Sequence, residues 1–162
     1  MNIQLQPIGF VKTSRSHFGD DFWGGEKACI FLSEPYTAES LQGLIEFSHV
    51  EVLYFFHRVD LSKVVGGARH PRNKAAWPAV GIFAQRGKNR PNRIGSTICR
   101  ILAVEGTKLV VAELDAIDGT PVIDLKPVMA EFLPRRDVHQ PQWSHELMKK
   151  YWLEKPLDKN NE

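Results

Sequence analysis

The stretch IGSTICRILAVEGTKLVVAEL, residues 94–114, predicts the central feature of this fold. Two runs rich in β-branched and apolar residues, 94–104 and 108–114, lie on either side of the short segment Glu105-Gly106-Thr107. That arrangement is typical of two strands joined by a turn. We therefore expect the two runs to pair as neighbouring strands.

Further strands are predicted on both sides of this pair, and they are separated by turns and loops. They span residues 3–12, 27–32, 47–59, 80–85 and 122–128. Residues 66–78 between them read as a polar, basic loop, and residues 118–120 as a tight turn. Short strands with few helices are typical of a compact β-barrel, so the predicted class is mainly β.

Two segments favour helical structure. Residues 37–44 fit one or two helical turns with Thr37 as the N-cap. Residues 142–153 fit a C-terminal helix with Ser144 as the N-cap. The apolar stripe of that helix consists of Trp143, Leu147, Met148 and Tyr151.

Length and composition indicate a single domain with a normal core. The chain has 162 residues, of which 43% are apolar and 25% charged. We expect a barrel domain over residues 1–140, with the C-terminal helix and polar tail of residues 141–162 packed on it. The formal net charge of +2 permits nucleic-acid binding without requiring it.

The cellular compartment is predicted from cysteine content and the N-terminus. Cys29 and Cys99 lie in apolar runs and are too few for a disulfide framework. Residues 1–7 lack the charged and apolar regions of a signal peptide, and no run approaches the roughly 18 apolar residues of a membrane span. We expect a reduced, soluble, cytoplasmic protein that does not enter a membrane.

Common catalytic and metal-binding motifs are absent from the sequence. There is no phosphate-binding G-x-x-x-x-G-K-[ST] loop and no G-x-G-x-x-G after a strand, which argues against P-loop and Rossmann folds. Neither G-x-S-x-G nor H-E-x-x-H nor paired C-x-x-C occurs. The six histidines lack metal-ligand spacing, so no metal site is predicted.

The first of three unusual segments, residues 81–95, follows a predicted strand with four cations. Arg86, Lys88, Arg90 and Arg93 alternate with Gly, Pro and Asn. Guanidinium groups and backbone N–H groups that face one spot suit a carboxylate, a phosphate or a polynucleotide backbone. A solvated turn with ordinary surface charges explains the composition equally well.

The second segment, residues 114–127, contains the turn Asp118-Gly119-Thr120-Pro121 with Asp115 and Asp124 on strand-like flanks. An acidic cluster beside exposed carbonyl groups suits a cation or a pair of ribose hydroxyls. A hairpin turn in which aspartate caps its own backbone is the alternative.

The third segment is the apolar run of residues 47–59, which ends in His57 and Arg58. Strand ends often border sites, although a histidine there is more often a hydrogen-bonded structural residue. Alternation along a strand predicts a shared face for five of its residues, which mixes charge with apolar bulk: His49, Glu51, Leu53, Phe55 and His57.

A weaker signal is the pair Phe22-Trp23 beside Gly24 and Gly25. An exposed aromatic pair stacks well on a nucleic-acid base. Anchoring the loop to the core is the more common role of such a pair.

Taken together, these segments resemble the TsaA-like family, which includes the TrmO tRNA methyltransferases. The resemblance covers roughly residues 8–128 in both spacing and order. The matching pieces are Ile8-Gly9, Gly43-Leu44, residues 47–49, Phe56-His57, residues 81–84 with Arg86, Arg90-Pro91-Asn92, Ile94-Gly95, and Asp115 with residues 118–122 and 124–127. The chain departs from the family in lacking a Pro-Arg-Gln segment in the first loop and in having Arg93 where proline is usual. Its C-terminal part does not match the longer extension of the tRNA enzymes.

The resemblance implies a small β-barrel that binds S-adenosylmethionine as a homodimer. The positions carried over as cofactor contacts are His57, Arg58, Arg86, Ser96, Ala116, Ile117, Asp118 and Gly119. Arg86 is expected to pair with the methionine carboxylate. The catalytic base is not fixed by the residues, and the candidates are His57, Glu51 and Asp124.

The implied reaction is methylation of N6-threonylcarbamoyladenosine beside a tRNA anticodon. Cations expected to hold RNA phosphates are Arg69, Arg72, Lys74, Lys88, Arg90 and Arg93. Two alternatives stay open: the same cofactor with a small molecule or another RNA as acceptor, and a non-catalytic module that binds S-adenosylmethionine. The absent Pro-Arg-Gln segment motivates the first alternative, and the lack of an obvious base motivates the second.

Overall fold

The computed structural model describes residues 3–156 and contains a closed, six-stranded antiparallel barrel. The spatial order of the strands is β1-β2-β7-β6-β3-β8, and β8 pairs with β1 to close the sheet. The barrel strands are β1 (Gly9–Lys12), β2 (Lys27–Leu32), β3 (His49–Phe55), β6 (Ile94–Glu105), β7 (Lys108–Ala112) and β8 (Pro121–Pro127), while β4 (Ala68–Arg69) and β5 (Val80–Gly81) form a separate two-stranded sheet. The predicted barrel class is confirmed.

Helical structure is short and occurs in the segments between the strands and after the last strand. The described 3₁₀ turns span Ala38–Leu41, Leu44–Glu46, Leu61–Lys63, Pro71–Asn73, Ile82–Ala84 and Ala130–Phe132, and the α-helix α1 spans Gln142–Met148. Within residues 3–156, no helix has the length and hydropathy needed to cross a bilayer.

The hairpin predicted from residues 94–114 is present as β6 and β7, which turn at Gly106 with a φ of 61°. Strand β6 is 12 residues long, and its register with β7 shifts between Ile101 and Ala103. Such a bulge bends and twists a strand. A long, bent β6 therefore pairs with both β3 and β7 and helps the sheet close.

Alternation along β3 separates core from surface. Val50, Val52 and Tyr54 are buried inside the barrel, where they pack with side chains from the other strands: Val11, Ile30, Cys99, Leu109, Val111 and Val122. His49, Glu51, Leu53 and Phe55 are half-buried on the other face, as predicted. The extension of that face to His57 is wrong, because β3 ends at Phe55.

Strand topology collects three loops at one end of the barrel, called here the upper end. Because all neighbouring strands are antiparallel, β1, β3 and β7 end on the side where β2, β6 and β8 begin. The loops of residues 13–26, 56–93 and 113–120 therefore all emerge there. All three unusual segments of the sequence contribute to this end.

Several predicted strand boundaries are wrong. The strand predicted over residues 3–12 begins only at Gly9, and the one predicted over 47–59 is His49–Phe55. The strand predicted over 80–85 is two residues long, because a 3₁₀ turn begins at Ile82. Apolar composition predicts where strands occur, but it does not show at which residue the hydrogen bonds to a neighbouring strand end.

The predicted basic loop of residues 66–78 also contains β4 and a 3₁₀ turn. The predicted helical turns after Thr37 form over Ala38–Leu41. The Thr37 side chain makes no cap hydrogen bond there.

The C-terminal helix is shorter than predicted. It ends at Met148 rather than at residue 153, and Pro141 occupies the N-cap position. Ser144, predicted as the N-cap, lies inside the helix and donates its hydroxyl to the Pro141 carbonyl, 2.7 Å away. Residues 157–162 of the predicted polar tail lie outside the described residues. The division into residues 1–140 and 141–162 stays a prediction.

Residues 150–153, called here the C-terminal strap, run beside the first upper loop. The N–H groups of Phe22 and Trp23 donate to the carbonyls of Lys150 and Tyr151 at 3.1 and 2.7 Å. Trp77 fixes the preceding helix, since its indole N–H donates to Glu146 at 2.8 Å. The chain after α1 is thereby joined to the upper end of the barrel.

Candidate functional site

The predicted cofactor residues converge at the upper end. His57, Arg58 and Arg86 lie in the second upper loop, and residues 116–119 lie in the third. Ser96 is the third residue of β6. Segments far apart in sequence are thus brought to one end of the barrel. We call residues 116–119 the cofactor turn.

Asp115 is the centre of a hydrogen-bond network just before the cofactor turn. Its Oδ1 accepts hydrogen bonds from the Tyr54 hydroxyl, at 2.6 Å, and from the Thr97 hydroxyl. Its Oδ2 accepts one from the Tyr151 hydroxyl of the C-terminal strap. One carboxylate therefore joins β3, β6 and the strap.

The phenols around Asp115 keep their protons. Burial, followed by the nearby charge of Asp115, raises the pKa of Tyr54 well above its ordinary value. The pKa of Tyr151 is raised by the same two causes, and only partly lowered by Arg72 and Arg86. Both hydroxyls therefore act as donors to the carboxylate across the physiological pH range.

Arg86 and Ser96 form a second contact between the upper loops and the barrel. The Arg86 guanidinium donates to the Ser96 carbonyl at 2.6 Å, and the Ser96 hydroxyl donates to Glu51 at 2.6 Å. Ser96 and Thr97 are neighbours on β6 that face opposite sides. The Arg86 contact thus lies next to the Asp115 network.

Asp118 orders the cofactor turn. The Thr13 N–H, at 3.0 Å, and the Lys12 ammonium, at 3.2 Å, both donate to its carboxylate. These hydrogen bonds, the backbone one first, lower the pKa of Asp118, with a smaller effect from the charge of Arg58. Aspartate at this position therefore caps the backbone of β1 rather than its own turn.

His57 and Arg58 border the same region. Arg58 donates to the Ser16 carbonyl at 3.1 Å. Burial, and next the charge of Arg58, lowers the pKa of His57, so its imidazole is neutral at pH 7. Among the described residues, the buried Nδ1 of His57 has no hydrogen-bond partner.

The backbone N–H groups of the cofactor turn differ in whether they have a hydrogen-bond acceptor. The N–H groups of Asp118 and Gly119 donate to the carbonyls of Arg15 and Val11, both at 2.8 Å. Ala116 and Ile117 are 4% and 1% exposed, and within residues 3–156 their N–H groups have no hydrogen-bond acceptor. Buried N–H groups are rarely left unpaired, so this pair suits a polar ligand edge.

The three candidate bases occupy different surroundings. Glu51 is bonded to Ser96, whereas Asp124 pairs with Lys126 at 2.6 Å on β8. His57 lies beyond the end of β3. In the part of the chain that is described, no three or more His, Cys, Asp and Glu residues are grouped to hold a metal ion.

The six cations predicted to bind RNA lie in the second upper loop and at its edge. Five of them are half-buried, and Lys74 is exposed. Three of the cations lie over aromatic rings, with distances to the ring centroid of 4.3 Å for Lys74 over Trp77, 5.1 Å for Lys88 over Phe18 and 4.4 Å for Arg93 over Phe55. Arg90 donates to the Gln85 carbonyl. The buried Nε of Arg69 has no hydrogen-bond partner among the described residues. Their RNA-binding role stays a prediction.

Arg72 differs from the other cations because it clamps the first upper loop. Its guanidinium contacts the Asp21 carboxylate at 2.9 Å and the Asp20 carbonyl at 2.5 Å. Arg15 lies 3.5 Å from the ring centroid of Trp23 and donates to the carbonyls of Asp21 and Phe22. Trp23 is 3% exposed, so this aromatic residue anchors the loop to the fold.

Sequence reasoning identified the loops but missed their central contacts. The sequence pattern gives no partner for Asp115 and places Tyr151 in an apolar helical stripe. It does not single out Tyr54 or Thr97 within their strands. The available signal was alternation, which turns both side chains into the barrel close to the strand ends.

Comparison with known proteins identifies the relationship. The family model of the tRNA-methyltransferase O N-terminal domain matches residues 21–132. The chain belongs to this family. The matched region contains every predicted cofactor residue and extends from the first upper loop through the end of β8.

Individual relatives agree with this assignment. The human protein named "tRNA (adenine(37)-N6)-methyltransferase" is 38% identical over 86% of this chain and 33% of its own length. A Methanothermobacter thermautotrophicus protein named "Probable S-adenosyl-L-methionine-binding protein" is 34% identical over 78% of this chain and 90% of its own length. The crystal structure of TrmO from Pseudomonas aeruginosa has 26% identity and a TM-score of 0.71, over 88% of this chain and 62% of that one.

The chain spans about a third of the length of the mammalian tRNA methyltransferases that it matches, between 32% and 35%. The match therefore covers only part of each of those proteins. The archaeal relative shows that a protein of nearly this domain's extent also exists.

Proposed function

We propose that this chain is an S-adenosylmethionine-dependent methyltransferase whose acceptor is N6-threonylcarbamoyladenosine next to a tRNA anticodon. The observation that carries this proposal is that three loops, which contain Arg86, Asp115 and the cofactor turn, emerge at the same end of the barrel. Family membership and the names of the relatives support the same reaction.

The residues present fit this cofactor. Its adenine has a polar edge, and the unpaired N–H groups of Ala116 and Ile117 are buried donors for such an edge. Its methionine part carries a carboxylate, for which the Arg86 guanidinium is the matching charge. The buried, unpartnered Nδ1 of the neutral His57 is a further polar contact.

S-adenosylmethionine supplies a methyl group that its sulfonium makes electrophilic. The chain has then to align an acceptor and to accept its proton. Of the three candidate bases, Glu51 is hydrogen-bonded to Ser96, a predicted cofactor residue, and Lys126 lies across from it in the register with β8. That position favours Glu51 over Asp124, which is paired with Lys126.

The decisive experiment incubates the purified chain and cofactor with tRNA from cells that lack its gene. We expect one methyl group to be added to threonylcarbamoyladenosine, detected by mass spectrometry of the digested nucleosides. Matched controls omit the cofactor or use tRNA that lacks the threonylcarbamoyl group. Methylation of a different nucleoside would identify another acceptor, and calorimetric binding of the cofactor without any methylation would indicate a binding module.

We also propose that the chain acts in the cytoplasm as a homodimer. Residues 129–142 lead from the lower end of β8 to α1, and all of them are exposed. This arm includes Phe132, which is 87% exposed, with Met129, Leu133 and Val138 also exposed. Contiguous apolar side chains of this kind favour a protein partner, and a second copy is the most common one.

Replacing Phe132 with aspartate is expected to shift the chain from dimer to monomer. The substitution places a charge in the exposed apolar arm, and burying an unpaired charge in an interface is costly. Analytical ultracentrifugation at micromolar concentration measures the change. Phe83→Asp is the matched control, since Phe83 is 78% exposed on a different loop. A monomeric wild-type chain would contradict the dimer.

A further inference from the structure

The C-terminal strap contacts the upper end of the barrel through its backbone and through one side chain. Its backbone carbonyls accept from Phe22 and Trp23, and the Tyr151 hydroxyl donates to Asp115. The same short segment therefore holds the first upper loop and the residue that precedes the cofactor turn.

Two more features show that the first upper loop is shaped around the strap. A Cβ atom added to Gly24 would lie 2.0 Å from the Trp152 carbonyl oxygen, so only glycine allows the strap backbone this close. Arg15 and Arg72 hold the same loop through Trp23 and Asp21. Contacts with two arginines and with the strap therefore fix the loop.

The charge around Tyr151 connects the strap to the predicted carboxylate-binding residue. Arg86 and Arg72 lie near enough to act electrostatically on the Tyr151 hydroxyl, and Arg86 also donates to Ser96 beside Thr97. Asp115 accepts from Tyr151, Tyr54 and Thr97. Moving Tyr151 removes one of three donors that hold Asp115 in place.

We propose that the C-terminal strap positions the cofactor site, with Tyr151 as the positioning residue that ties Asp115 and the adjacent cofactor turn to the first upper loop. The inference rests on the proposed function and extends it, because docking of the strap and binding of the cofactor become one coupled equilibrium. Coupling of this kind is reciprocal: the strap strengthens cofactor binding, and the cofactor stabilises the docked strap.

Tyr151→Phe tests the coupling because phenylalanine keeps the ring and removes only the hydroxyl. We expect the Kd and the KM for S-adenosylmethionine to rise about tenfold, the usual scale for one hydrogen bond to a charged group. The kcat at saturating cofactor should stay within about twofold of wild type, since the hydroxyl positions the cofactor and does not react. Tyr36→Phe is the matched control, because Tyr36 is exposed on the loop before β3.

Hydrogen exchange measures the reciprocal effect without using activity. In the wild-type chain, adding S-adenosylmethionine should slow exchange of the Phe22 and Trp23 amides, which donate to the strap. Tyr151→Phe should abolish most of that slowing. Glu146→Ala is a second variant, which removes the hydrogen bond between α1 and Trp77 and should also weaken cofactor binding.

The outcomes separate this proposal from the proposed function. If the wild-type chain binds no S-adenosylmethionine, both fail. If the wild type binds while Tyr151→Phe binds equally well, the strap proposal alone is wrong. Loss of thermal stability in both variants with unchanged cofactor affinity also overturns it, because the strap would then be only structural.

Discussion

Replacing Arg86 with alanine is expected to weaken the binding of S-adenosylmethionine by roughly ten- to a hundredfold. A guanidinium that pairs with a carboxylate contributes about 1.5–3 kcal/mol, and each 1.4 kcal/mol is a factor of ten in Kd. Arg86 is exposed and donates to the Ser96 carbonyl, so its removal leaves the barrel core untouched. Isothermal titration calorimetry with the purified chain measures the change directly.

Two further variants separate the effect of the planar guanidinium geometry of Arg86 from the effect of its charge. Arg86→Lys keeps the positive charge but loses the planar two-donor geometry, and we expect an intermediate affinity. Arg100→Ala removes a guanidinium from an exposed position further along β6 and should bind the cofactor as the wild type does. An Arg86→Ala variant within about twofold of wild-type affinity would remove Arg86 from the site.

The barrel was predictable because each strand carries its own periodicity. The run predicted over residues 27–32 is β2 without a change of boundary, and alternation along β3 correctly predicted that Glu51 shares a face with His49, Leu53 and Phe55. Strand ends were harder, because an end is set by partners rather than by composition. The apolar residues after Phe55 continue the pattern, yet the Phe56 N–H bonds to Arg93 instead of to a strand.

The candidate site was predictable only at the level of the loops that form it. Segments with unusual charge and turn residues pointed to Arg86 and to Asp118, and antiparallel closure explains why they share one end of the barrel. The contact between Asp115 and Tyr151 was not predictable. The contact forms because the helix ends at Met148. The sequence pattern instead predicts a helix through residue 153, in which Tyr151 belongs to an apolar stripe.

The largest loss of stability is expected for Gly95→Ala. Gly95 lies opposite Tyr54 in the β3–β6 register, and the Tyr54 ring covers it. An added Cβ atom would lie 2.4 Å from Cε2 and 2.5 Å from Cζ of that ring. The ring has no room to yield, because its hydroxyl is bonded to Asp115 and Thr97 and its surroundings are buried.

We expect Gly95→Ala to lower the free energy of unfolding by about 3 kcal/mol, the upper range for overpacking a filled core. For a domain of this size, that change lowers Tm by roughly 6–12 °C in a thermal scan. Gly81→Ala is the matched control, because its φ is −56° and nothing lies within 4 Å of the added Cβ. Equal melting of the two variants would show that the Tyr54 ring is free to move away from the added Cβ atom.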